Sequence, residues 1–157
     1  MLFFFHVFSG CDIVSAFRGR AMMSAWQSWN ACPAVSHVFV QLSKLKQIPP
    51  VLDEKAFEAL QKFVVIIYDK TSTATGVNEA RLELFARKQR SFDSIPPTKA
   101  ALLEHSKRAV YQSGVIWSQS AVSQPETQSP QYWDWIQEAY KWKIFWNALP
   151  PIATVFQ

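Results

Sequence analysis

At 157 residues the chain is long enough for one domain with a real core and too short for two comfortable ones. Its 49% hydrophobic and 15% aromatic content excludes a disordered chain, and its net charge of +4 is compatible with a polyanionic partner without demanding one. Two cysteines, Cys11 and Cys32, make no disulfide framework and point to a reducing, intracellular compartment, the nucleus included.

The opening "MLFFFHVFSG" lacks the basic start of a signal peptide and is too short to cross a bilayer. It reads as a hydrophobic strand or loop cut from a larger core, which implies a truncated chain. Asp12 follows, and the segment "DIVSAFRGRAMMSAWQSWNACP" predicts a short helical turn, a break near Gly19 and a helix ending before Pro33. Met22, Ala25, Trp26 and Trp29 would share its buried face. Val35, Val38, Phe39, Leu42 and Leu45 predict a second face before Pro49-Pro50.

Asp53 is a plausible N-cap for a long helix through Phe57, Leu60, Phe63, Val64 and Ile67. "TSTATG" is a polar turn, and "VNEARLELFARKQR" is a helix whose basic end suits the negative pole of the helix dipole. "SFDSIPP" is a break, after which Thr98 starts a helix with Leu102, Ala109, Val110 and Trp117 inside. Residues 122–131 form a polar linker, and residues 132–157 an aromatic-rich helical tail that packs on the module formed by residues 1–121. The fold class is mainly α, with no membrane-spanning element.

Asp12 is the acid that raises a functional question. It is either a helix N-cap or part of a metal site, and a metal site needs several oxygens around a hard cation. No second acid lies near it in sequence. The turn at Arg18, Gly19 and Arg20 could present backbone N–H groups and charge to a phosphodiester backbone, or could be an ordinary helix corner. Lys44 and Lys46, Arg87-Lys88-Arg90 and Lys107-Arg108 suit phosphate contacts or simple solvation. His6, His37 and His105 lack metal spacing, and no motif frames a serine or cysteine nucleophile. Trp133, Trp135, Trp142 and Trp146 could offer stacking platforms for single strands, or pack in a core.

The stretch "FHVFSGCDIVSAFRGRAMMSAWQSW" resembles the signature "FHxxTGCDTxSxFxGKGKKTAW" of a large group of uncharacterised animal proteins, often multi-copy and associated with mobile elements. The resemblance runs from His6 to about Trp146 through "FVVIIYDKTSTATGVNEARLELFARK" and "IPPTKAALLEHSKRAVYQSGVIW". Its "GCD" element with a following glycine turn is similar in turn to PIN-like, flap-endonuclease-like nucleases. That resemblance implies the helical C-terminal portion of an incomplete PIN-like α/β domain. Asp12 would be a catalytic metal ligand for Mg²⁺ or Mn²⁺ in the intact form. Gly10 would allow close approach, and Arg18, Gly19 and Arg20 would form the phosphate-binding turn. Lys44 and Lys46, read from their charge alone, are the further nucleic-acid-binding candidates.

The pattern departs from the signature at Ser9 and at Ala21, Met22 and Met23, where threonine, glycine and lysines are usual. The other acidic ligands would come from a missing N-terminal half or a partner chain, so the expectation is a nuclease module inactive alone. The alternative is a non-catalytic helical module that binds nucleic acid or protein.

Overall fold

The computed structural model describes residues 1–12, 14–45, 51–87, 94–126 and 128–145, and the chain is mainly helical over them. Six α-helices appear in chain order: α1 (Leu2–Ser9), α2 (Met22–Ala31), α3 (Val35–Ser43), α4 (Glu54–Tyr68), α5 (Val77–Ala86) and α6 (Lys99–Val110). α6 continues into a π-helical turn at Tyr111–Ile116 and a 3₁₀ turn at Trp117–Gln119. The sheet is a two-stranded antiparallel hairpin, β1 (Trp135–Glu138) with β2 (Lys141–Ile144). Among the described residues no helix is long and apolar enough to cross a membrane.

The apolar N-terminus is a helix, not the expected strand or loop. Phe4, Phe5, Val7 and Phe8 are buried, whereas Leu2, Phe3 and His6 are exposed. That 3.6-residue periodicity places α1 against α2, α3 and α6. Its rings build the centre of the core. Phe4 lies 5.4 Å from Phe39, Phe5 4.6 Å from Trp29, and Phe8 6.3 Å from Phe63. Phe39 and Phe63 meet edge-on at 5.4 Å and join α3 to α4. Phe4, Phe5 and Phe8 therefore pack inside this chain's own bundle.

The helix starts follow their caps. Asp53 Oδ2 accepts from the Ala56 N–H at 3.2 Å, and Thr98 Oγ1 accepts from the Ala101 N–H at the same distance. On α2, Ala25 and Trp29 are buried as expected, whereas Met22 and Trp26 are exposed. Trp26 instead lies against Phe5 and Trp29 by ring edges.

Two further expectations are corrected. No helical turn follows Asp12: Cys11 and Val14 exchange both backbone hydrogen bonds at 3.1 Å, closing a tight loop, and the chain runs irregularly to Arg20. Asp12 thus precedes no helix and caps none. The aromatic tail is not helical where it is described, because residues 135–144 form the hairpin. Trp133 is fully buried beside Tyr111 at its base, and Asp134 forms a buried ion pair with Arg108 of α6. Trp146 and the rest of residues 146–157 lie outside the described residues, as do Lys46, Lys88 and Arg90.

Candidate functional site: an arginine-lined cavity beside the glycine turn

The segment between α1 and α2 is held by two glycines. Gly10 has φ +121°, and a Cβ there would lie 2.4 Å from the Ala16 Cβ, so only glycine lets the end of α1 sit on Ala16. Gly19 has φ +70° in a turn closed by the Arg20 N–H bonding the Phe17 carbonyl at 3.0 Å. A left-handed third residue is what a type II turn requires, and glycine supplies it without strain.

The two arginines of that turn have different jobs. Arg20 donates to the Tyr68 carbonyl at the end of α4 at 3.1 Å, and its guanidinium lies 4.9 Å from the Tyr68 ring centre. The Tyr68 hydroxyl returns a hydrogen bond to the Arg18 carbonyl at 3.1 Å. The turn is therefore latched to α4, with Arg20 as part of the latch. Arg18 lines a cavity of about 250 Å³ together with Phe17, Tyr68, Arg81, Pro96, His105 and Arg108. Among the described residues no acidic side chain lines it.

Arg81 comes from α5 and gives one N–H to the Pro96 carbonyl. Arg108 comes from α6 and is paired with Asp134 behind the cavity wall. Burial lowers the proton affinity of Arg108, with Glu104 opposing. Ser15 and His105 complete the wall. His105 Nε2 lies 2.8 Å from the Phe8 carbonyl, which can only accept, so that nitrogen carries the proton. His105 Nδ1 is then an acceptor, and the hydroxyl of Ser15, an exposed residue, donates to it at 3.1 Å. Burial, reinforced by Arg108 and opposed by the Phe8 bond, pushes the His105 pKa down to about 4.

The remaining predicted site residues fall around this cavity or away from it. Asp12 is exposed at the Cys11–Val14 loop, and the neighbouring Gly10 packs on Ala16 of the cavity wall. Among the described residues, no group of three His, Cys, Asp or Glu side chains is placed to hold a metal ion. Lys44 is exposed at the C-terminal end of α3, where the Ser43 and Leu45 carbonyls pack on Gly114, and it does not line the cavity.

A larger cleft of about 750 Å³ lies between α6 and the hairpin, but its Lys107 is paired with Glu104 and its Asp134 with Arg108. Ser15, Arg81 and His105 were not singled out by sequence reasoning, since 90 positions separate Ser15 from its partner. No family model, curated protein or solved structure matches the chain.

Proposed function

We propose that the chain is a helical module that binds the phosphate backbone of nucleic acid through the Arg18–Gly19 turn and the cavity behind it. The observation that carries this reading is that Arg18, Arg81 and Arg108 line one cavity, with no acidic residue among the described residues that line it. Guanidinium groups suit phosphate oxygens because their planar donors bond two oxygens at once. Arg20 serves the site by fixing the turn, and the binding needs no metal.

A second reading is favoured by one observation. Asp12 is exposed and caps no helix, and it lines a separate cleft with His6, Gly10, Cys11 and Trp117 where a cation could reach it. In that reading the module is the PIN-like part of a nuclease. Asp12 would hold Mg²⁺ or Mn²⁺ together with carboxylates from outside this chain, and the ion would activate water for phosphodiester hydrolysis.

Both readings are separated by fluorescence anisotropy with labelled single- and double-stranded DNA over a salt series, first in EDTA and then in Mn²⁺. The first reading expects binding in EDTA that weakens about tenfold in Arg81→Gln, with a salt slope smaller by about 1. No binding at low salt, or an unchanged slope, would sink it. The second expects Mn²⁺ to tighten binding in wild type and to lose that gain in Asp12→Asn.

A further inference from the structure

The Ser15–His105 pair sits on the wall of the same cavity, and the phosphate-binding reading leaves it unused. Ser15 is held on both sides, by the Cys11–Val14 loop before it and the Phe17–Arg20 turn after it. Ser15 is an exposed residue while its hydrogen-bond partner is buried. His105 is oriented by the Phe8 carbonyl, so its acceptor nitrogen faces the serine. A hydroxyl, a base within reach and a third group orienting that base make up a nucleophile arrangement.

We infer that Ser15 is a nucleophile for metal-free phosphodiester transfer, with His105 as its base and Arg81 and Arg18 as the groups that hold the reacting phosphate. The inference rests on the phosphate-binding reading of this cavity. Ser15 Oγ forms a bond to phosphorus as its proton passes to His105 Nδ1. The bond from phosphorus to the leaving oxygen breaks, and that oxygen takes the proton from the imidazolium. The product is a phosphodiester between Ser15 and one strand end, with no change in oxidation state and no co-reactant. Water or a strand hydroxyl reverses or resolves it by the same route.

The electrostatics fit the order of events. Burial, reinforced by Arg108, keeps His105 unprotonated, and therefore able to accept. A bound phosphate brings the negative charge that favours the imidazolium at the moment it forms. The guanidiniums then face the charge on the phosphoryl oxygens, where fixed cations lower the barrier most.

The test uses the full chain in EDTA with bis(4-nitrophenyl) phosphate, whose leaving group is coloured. The expected result is about one nitrophenolate released per chain. Intact mass should show a covalent nitrophenyl phosphate, mapped by peptide analysis to Ser15. Ser15→Ala should lose the adduct, and Arg81→Gln should slow its formation at least tenfold. No adduct, an adduct that maps elsewhere, or one that persists in Ser15→Ala overturns the inference. DNA anisotropy in the same buffer separates the two failures. Wild type that binds DNA without forming an adduct overturns the nucleophile alone, whereas loss of both overturns the phosphate site with it.

Discussion

His105 has both ring nitrogens hydrogen-bonded to neighbours, and burial disfavours its charged form. Its folded pKa of about 4 lies below its unfolded value of about 6.5, so between those pH values the unfolded chain binds the extra proton. The associated stability is complete above pH 6.5 and is lost as pH falls towards 4, a loss on the order of 3 kcal/mol. Arg108, which lines the same cavity, sharpens the effect. Asp69, whose carboxylate is held below its ordinary value by Thr71 first and Arg87 after, adds its own loss only at more acidic pH. Thermal unfolding at steps from pH 7 to 4.5 should show the midpoint falling in wild type. The slope should flatten in His105→Gln, and equal slopes would refute the assignment. At this scale the sequence disclosed only local facts. Gly10, Gly19, Asp53 and Thr98 were legible because a turn or cap is decided by a few adjacent residues. Arg81 and Ser15 were not, because nothing local marks a residue whose partner lies on another helix.

The hairpin shows how local preference misleads at the scale of an element. Glu138, Ala139 and Lys141 favour helix, and the sequence lacks the Asn-Gly or Asp-Gly that marks a two-residue turn. Yet Ala139 and Tyr140 both adopt positive φ, +45° and +67°, the type I′ pattern that matches strand twist. Trp133 and Asp134 hold the base of the hairpin against Tyr111 and Arg108, and that tertiary anchor outweighs the helical propensity of those three residues. The turn is consequently strained. Replacing Ala139 by Asn and Tyr140 by Gly should stabilise the chain by about 1 kcal/mol, raising the melting midpoint by about 2–4 °C. Tyr140 is 97% exposed, so its removal forfeits little packing. A midpoint that falls in scanning calorimetry would show that the strain is absent. The helices α2 to α6 were legible by contrast, since their apolar spacing, caps and flanking prolines agree with one another.

For the whole molecule, the placement of the N-terminal aromatic run matters most. Seven apolar residues in the first eight positions gave no period to read, and a run that short favours a strand on length alone. The bundle resolves the ambiguity, because a helix apolar nearly all round is stable only where neighbours cover most of its faces. α1 has such neighbours: Phe8 meets Phe4, Phe17, Phe39, Phe63 and His105, while its carbonyl fixes the His105 ring at the cavity. Core and candidate site thus meet at Phe8. Phe8→Ala should cost about 3–5 kcal/mol, a large part of the stability of a domain this size. Phe3→Ala should cost far less, since Phe3 is 63% exposed and touches only the Trp117 ring edge among the aromatic contacts. Urea unfolding followed by tryptophan fluorescence measures both. A Phe8→Ala cost below about 1 kcal/mol would mean that α1 is peripheral to the bundle, and that the Phe8 carbonyl cannot be what orients His105 towards Ser15.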